Sequence, residues 1–514
     1  MRALWPVGVS LVCCVLGAPA LGQTADGPRF AVHRFDVEGE LPIARERALA
    51  VLAPYTGDAV DLARLQSAAA ALEAELLSSG YSFYRVVLPP QPLEGSAMVR
   101  VLPFRLANVS VSGNRHFSTQ NVAASLPALK QGESPNVFAV ARNRAAANDH
   151  ASKHVEITFR QSEVADAVEA DVAVQDSPPQ TVFVGLNNTG ERRTGNWRAT
   201  VGYQHSNLWN RDHSVTATYT TSPDHVSEVK QYGLYYRIPV YPVGGALTLF
   251  YAHSDVNSGT IANAFQVSGR GTFMGAHWKQ HLVPLGAYSH ALETGIDDRL
   301  FMNDVLFGAA QLGVDVRSRP VSIAYSGRFD RATSVIAAGA QYARNVRGGS
   351  DNSDAAYIAN RAGASSGWDA WRYNVDGAWR IAPVTLNVRL RGQYADEPLI
   401  PGEQFGMGGA LSVRGLRERE VTGDSGATLT VEGVVPLPWE GFSALGFVDG
   451  GEVRSRNAQP GQVARDGAVS IGLGVRWSVA RRFSMAIDAA QVLDGTARSE
   501  RGDRRAHVSV VFQF

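Results

Sequence analysis

From residue 180 to the end of the chain, apolar and polar residues alternate with the period of two that belongs to β-strands. At the carboxy terminus Val508, Val510, Phe512 and Phe514 share one face, while His507, Ser509 and Gln513 lie mainly on the other. Upstream, Trp197, Ala199, Val201 and Tyr203 alternate with Arg198, Thr200, Gly202 and Gln204, and the shorter runs Leu247-Thr248-Leu249 and Ala468-Val469-Ser470-Ile471 behave alike. A soluble sheet with one wet face produces the same alternation. Its repetition predicts a transmembrane antiparallel β-barrel, whose lipid face must be apolar while its lumen can be wet. About sixteen such segments can be counted, centred near residues 184, 201, 216, 234, 249, 268, 291, 322, 338, 375, 389, 429, 446, 472, 487 and 510. With the amino terminus on the inner side, odd-to-even connections face outward. Residues 400–422 then form the sixth external loop, and the polar stretch 348–367 another, expected to be mobile.

Before Pro178-Pro179 the pattern is different. A strand over 30–37 leads to a helical stretch over 43–52 and a second helix over 62–77, on which Leu62, Leu65, Ala69, Leu72 and Leu76 form a stripe. Gly80 stops that helix, and strands over 83–88 and 98–103 follow. The order then recurs: a strand over 106–111, the turn Gly113-Asn114, helical stretches over 119–126 and 139–148, and strands over 155–159 and 167–174. The organisation expected is therefore two small α+β domains, residues 29–104 and 105–178, ahead of a barrel over 180–514. Periodicity alone would also suit a generic α+β domain; duplication directly before a barrel favours a pair of like modules.

The amino terminus has the grammar of a secretory signal peptide over residues 1–22: Met1-Arg2, an apolar stretch from residue 4 to 16, and the small-residue region Ala18-Pro19-Ala20-Leu21-Gly22. A membrane anchor helix would need about twenty apolar residues, more than this stretch has. Both cysteines, Cys13 and Cys14, fall inside it. A processed chain would therefore form no disulfide and no cysteine-ligated metal site. Lys plus Arg and Asp plus Glu are equal at 48 each, so no basic excess points to nucleic acid. No enzyme motif is present. The twelve histidines show no His-Glu-x-x-His spacing, and neither a Gly-x-Ser-x-Gly elbow nor a phosphate loop occurs. Asp297-Asp298 could be imagined as an acid pair or a calcium site, but adjacent strand residues point to opposite faces, so two solvated charges are expected. No catalytic, cofactor-binding or metal-binding residue is assigned.

Two stretches remain. Pro401-Gly402-Glu403-Gln404-Phe405-Gly406-Met407-Gly408-Gly409-Ala410-Leu411-Ser412-Val413-Arg414-Gly415-Leu416 and Gly446-Phe447-Val448-Asp449-Gly450-Gly451 resemble the sixth-loop Val-Arg-Gly-aromatic motif and the Phe-x-Asp-x-Gly strand motif of the POTRA-plus-barrel superfamily. With the two modules, and with Asn188-Thr189-Gly190 in the first barrel strand and Tyr236-Arg237-Ile238-Pro239 after the fourth, the whole chain resembles the outer-membrane transporters of two-partner secretion, the haemolysin secretion/activation proteins of the ShlB/FhaC/HecB type. Leu416 stands where the family usually has phenylalanine. Those transporters also carry a plug helix ahead of the first POTRA domain, whereas only residues 23–28 separate the expected cleavage point from the first strand here.

The resemblance implies that Val413, Arg414, Gly415 and Leu416 form the tip of a loop folded into the barrel. It implies a wall motif of Phe447, Asp449 and Gly451, and Phe514 as the assembly signal. Arg414 reaching Asp449 would make a charge-assisted latch; otherwise Arg414 is a solvated loop charge. The implied function is transport: a monomer in the outer membrane of a Gram-negative bacterium, its POTRA domains in the periplasm, capturing a separate unfolded client with an amino-terminal secretion domain. Further implied partners are outer-membrane lipid and lipopolysaccharide, periplasmic chaperones and the barrel-assembly machinery. Two rivals stand beside this reading. An insertase would use the same parts to open a barrel seam, and a passive porin would explain the strands but neither the modules nor the loop.

Overall fold

The computed structural model describes residues 28–514 apart from 193, 257–258, 262–264, 268–269, 303–305, 308–309, 312–313 and 481, so the segment read as a signal peptide lies outside the described residues. The chain forms two compact units, one up to Pro103 and one from Phe104 onward.

In the first unit a four-stranded sheet runs in the order Gly57–Val60, Phe30–Gly39, Gly95–Pro103, Tyr84–Val87, with the two central strands parallel. Helices Arg45–Leu52 and Leu62–Ser78 pack against it. The Asp61 carboxylate starts the longer helix by accepting the Arg64 backbone N–H at 2.8 Å. Gly80, at φ 89°, ends it. Leu65, Ala69, Leu72 and Leu76 reach the core with Val32, Val99 and Val101. Leu62 does not: in the first turn it stays 58% exposed. The short strand at residue 57 has no alternation to announce it.

The second unit opens with a similar module. Strands Arg105–Ser112, Ala167–Asp176 and Lys153–Gln161 form a sheet in that spatial order, with helices Thr119–Ala124 and Val137–Asn148. The chain then enters a closed antiparallel barrel of sixteen strands, from Gln180–Asn187 to Arg504–Gln513, counting Val316–Ser318 and Pro320–Asp330, which both pair with Tyr288–Phe301, as one interrupted strand. The sixth strand, Gly271–His281, starts beyond the expected centre at 268, which lies outside the described residues. Asn188-Thr189-Gly190 follow the first strand rather than lying in it, and Tyr236 to Pro239 lie inside the fourth, Gln231–Val240. Side chains such as Val201, Leu234, Ile323, Val448 and Ile471 are exposed on the outer wall, while Asp449 and Ser470 are buried inside. An apolar face turned outward all along a closed barrel is stable in lipid and costly in water. Among the described residues no helix is long and apolar enough to cross a membrane.

Closure sets Ser509 opposite Asn187 through Gln513 opposite Phe183. Phe514 completes the seam: its N–H donates to the Val182 carbonyl at 2.8 Å, and its own carbonyl accepts the Val182 N–H at 3.1 Å.

Within the second unit, module and barrel share a buried junction. Tyr241, from the inner turn after the fourth strand, inserts into the module's apolar core beside Phe117, Val122 and Val174. Its hydroxyl donates to Asp212 at 2.6 Å. Asp212 also pairs with Lys153 and accepts Asn121 Nδ2 at 2.8 Å; both charged side chains are fully buried. Burial pushes the Asp212 carboxyl up, but the Lys153 charge, with hydrogen bonds from Lys153 and Tyr241, outweighs it and holds the group below the usual carboxylate range. Nearby, Asp149 binds Lys279 at 2.9 Å and Arg237 at 3.2 Å, tying the module to two more strands.

His150 completes the junction. Its Nε2–H donates to the Ser206 carbonyl at 2.6 Å, and its Nδ1 accepts the Ser152 N–H at 3.1 Å. That pair of bonds requires the neutral ring, since a second N–H would face the Ser152 donor. Burial pushes the imidazole below its ordinary value of 6.5. A depressed folded pKa leaves the junction at full strength above the unfolded value of 6.5 and weakens it as pH falls below that toward the folded value. Limited proteolysis of the full-length protein should therefore cut near residue 150 faster at pH about 5.5 than at about 7.5, and His150→Gln should flatten the difference. Equal cleavage rates in the unaltered protein would contradict this.

Candidate functional site

The eleventh and twelfth strands, Val384–Tyr394 and Ser425–Pro436, are joined by the sixth external loop. Its two limbs pair with each other, Phe405–Met407 against Val421–Gly423, making a stem from which the tip projects into the barrel. Gly408, at φ 114°, makes the bend; a Cβ there would lie 2.3 Å from the Arg417 carbonyl oxygen. Leu416 and Val413 are fully buried with Met407, Val453, Ala468 and Val492. Aliphatic leucine fills the pocket, so the departure from phenylalanine leaves the tip seated.

Arg414 is the polar centre of the tip. Its Nε and Nη2 donate to the two carboxylate oxygens of Asp449 at 2.7 and 2.9 Å, and its backbone N–H adds a third bond at 3.1 Å. Nη1 donates to Glu432 at 3.0 Å and lies 3.6 Å from Asp488. The guanidinium carbon sits 3.3 Å from the centroid of the Phe447 ring, a cation–π contact. These partners come from strands twelve, thirteen and fifteen, Ser425–Pro436, Phe442–Arg454 and Phe483–Asp494. The next residue is held too, the Gly415 N–H donating to His507 Nε2 at 3.2 Å on the last strand.

The wall is shaped to receive the tip. A Cβ on Gly451 would lie 2.8 Å from Met407 Sδ, so a side chain there would collide with the stem. Gly472, on the neighbouring strand, leaves room for Phe447: a Cβ would stand 2.3 Å from its ring. The structure thus brings together Val413, Arg414, Gly415 and Leu416 with Phe447, Asp449 and Gly451. Phe514 lies apart from them, at the barrel seam with its ring exposed. Glu432, Asp488, Gly472 and His507 were not singled out from sequence. Their only signal is polar or small character on the inward phase of a strand.

Chemically the cluster is a network of ion pairs. Arg476 supplies a second guanidinium, bound to Asp488 at 2.8 and 2.9 Å. Two arginines thus face Asp449, Glu432 and Asp488. Asp297 and Asp298 do face opposite sides, but neither is a merely solvated charge. Asp297 binds His277 at 2.8 Å and Arg299 at 2.6 Å inside, while Asp298 binds Arg317 and Arg319, both at 3.0 Å. Among the described residues no group of three or more candidate ligands could hold a metal ion.

A closed sixteen-strand barrel, an α+β module of POTRA type ahead of it, and a loop tip bound by arginine to the inner wall define the POTRA-plus-barrel class. The model of the family "Haemolysin secretion/activation protein ShlB/FhaC/HecB" matches residues 169–477, more than half of the chain, and that of the ShlB-type POTRA domain matches residues 30–103. The chain belongs to the haemolysin secretion/activation family, and it is a translocator of two-partner secretion. Its client is a separate secreted protein. Among solved structures, CdiB from Escherichia coli is similar with a TM-score of 0.72 at 18% identity, covering 97% of this chain and 93% of that one. CdiB from Acinetobacter baumannii gives 0.68 at 17% identity, over 97% and 93%. BamA from Haemophilus ducreyi lacking POTRA domains 1–3 gives 0.50 at 12% identity, over 95% and 100%. No curated protein matches the chain.

Removing Arg414 leaves Asp449 and Glu432 without their guanidinium, while Asp488 keeps Arg476, whereas removing Asp449 leaves the arginine Glu432 as an acceptor with Asp488 at 3.6 Å. Arg414→Ala should therefore lower barrel stability more than Asp449→Ala. The double variant should lose less than the sum, by a coupling of about 1–3 kcal/mol. Urea unfolding of the purified barrel measures both; strictly additive losses would contradict direct pairing.

Proposed function

We propose that the two amino-terminal modules capture the unfolded client through a sheet edge, where main-chain hydrogen bonds supply affinity with little demand on client sequence. The client then passes through the lumen, and the loop tip at Arg414 acts as the latch that must leave the wall. The observation that carries this reading is the bidentate Arg414–Asp449 pair, because it closes over the inner wall of the path a client would take. A desolvated pair of this kind specifies one seat for the tip, and breaking it is costly until both partners are hydrated again.

In this reading the protein lies as a monomer in the outer membrane of a Gram-negative bacterium, with residues 29–178 in the periplasm. Its outer wall contacts lipid and lipopolysaccharide, and periplasmic chaperones deliver it to the barrel-assembly machinery with Phe514 as the signal. No step requires catalysis by the protein itself. The insertase alternative draws on the BamA likeness, which shows the shared fold.

Deleting residues 30–176 tests the division of labour. The remaining barrel should assemble, as read by heat-modifiable migration, yet fail to secrete a client that the full chain exports. Normal secretion by the deleted protein would place client recognition in the barrel.

A further inference from the structure

The latch at Arg414 fastens the tip of the loop and leaves its root to be held by something else. Two buried carboxylates do so. Glu403, 1% exposed at the side chain, accepts Arg299 Nη1 on both oxygens at 2.8 and 3.0 Å and Arg372 Nη2 at 2.8 Å. Those arginines stand on Tyr288–Phe301 and Asp369–Ile381, the seventh and tenth strands. They belong to a different stretch of wall from the one that holds Arg414. Asp424, fully buried at the other end of the loop, pairs with Arg361 through both oxygens and accepts the N–H groups of Leu399 at 2.8 Å and Arg456 at 2.6 Å. Gln393 joins the two ends, its amide donating to the carbonyls of Glu403 at 3.0 Å and Asp424 at 3.1 Å.

Arg361 does not come from the wall. It follows the helix Asp354–Asn360 of the fifth external loop, the polar segment expected from sequence to be mobile. That segment is folded. Tyr357 is completely buried, and its hydroxyl contacts Asn345, Trp368 and the Arg317 carbonyl at 3.2–3.3 Å. Together with Leu399 and Ile400 from the sixth loop, it packs on Phe273, Phe301 and Ala343, whose side chains point inward from the outer half of three strands. An apolar plate of this kind is foreign to the wet lumen of an open barrel, where inward positions are polar.

We propose that Glu403 and Asp424 are positioning residues of a second, outer closure, in which the fifth loop is the cover and the root of the sixth is its fastening. Release of Arg414 frees the tip while the mouth stays shut; export of a client requires both to open. The inference concerns the resting pore and holds whatever the client, so conductance tests it apart from secretion.

The experiment uses the full-length protein reconstituted in planar bilayers. Glu403→Gln and Asp424→Asn keep shape and remove charge. Replacing residues 348–366 by a short Gly-Ser linker removes the cover and leaves the wall intact. Each should raise the fraction of time the unstimulated pore is open by roughly tenfold or more, the scale set by losing a charge-assisted hydrogen bond, with heat-modifiable migration retained. Glu403→Asp, which keeps the charge, should return the pore toward its quiet state. A purely structural role would lower the unfolding midpoint without opening the pore. Unchanged resting conductance in the assembled variants would overturn the proposal. If neither carboxylate variant assembles, the linker variant decides, a quiet pore overturning the proposal and a leaking one supporting it.

Discussion

One arginine among three carboxylates governs how this barrel is filled. Arg414 is 3% exposed, and its charge has been taken out of water at a cost that only close, correctly directed partners offset. Asp449 supplies both oxygens and the Phe447 ring supplies a π face, while Glu432 and Asp488 complete the shell. Because these partners stand on three strands, the tip can occupy its seat only if those strands keep their register. The small residues nearby follow from the same demand. Gly451 and Gly472 are the spaces into which Met407 and Phe447 fit. A charge held this way is a poor source of net stability, and its value lies in specifying one position for the loop.

The same logic recurs at two other levels of the second unit. At the junction with the preceding module, Lys153 and Asp212 are buried as a pair, with Tyr241 and Asn121 filling the remaining hydrogen-bond positions. At the outer mouth, Glu403 and Asp424 are each surrounded by donors. Inner junction, loop tip and loop root are thus pinned by separate buried ion pairs in a wall whose outer face carries a long run of exposed apolar side chains. Such pins are all-or-none. A half-released pair leaves an uncompensated charge in a dry site, so each junction favours fully engaged or fully released states.

How much of this could be read from residues depended on range. Strand alternation is local, so the barrel and its even strand number were legible, as were both helices of each module. The strand at residue 57 was missed because Gly57, Asp58 and Ala59 carry no apolar alternation. Arg414 and Asp449 were singled out because each lies in a recognisable phrase. Glu432, Asp488 and His507 lie in none. Asp488 and His507 meet Arg414 and Gly415 only because the barrel brings distant strands together, and Glu432, on the strand that leaves the loop, has nothing but its inward phase to mark it. The fifth loop misled for the opposite reason: its composition is polar, but Tyr357 and Trp368 are the residues that decide its fold, and two aromatics among many small polar residues give no periodic signal.

The central claim is that the tip must leave the wall for a client to pass. Gly415 offers a direct test, since a Cβ there would stand 3.5 Å from Ala490 Cβ, within disulfide range. The only cysteines in the sequence are Cys13 and Cys14, in the segment read as a signal peptide, so the processed chain would add no competing thiol. A Gly415→Cys, Ala490→Cys variant should block secretion when oxidised and recover it on reduction, the reduced form serving as the control for backbone strain at position 415. Undiminished secretion with the tip covalently held to the wall would contradict the account.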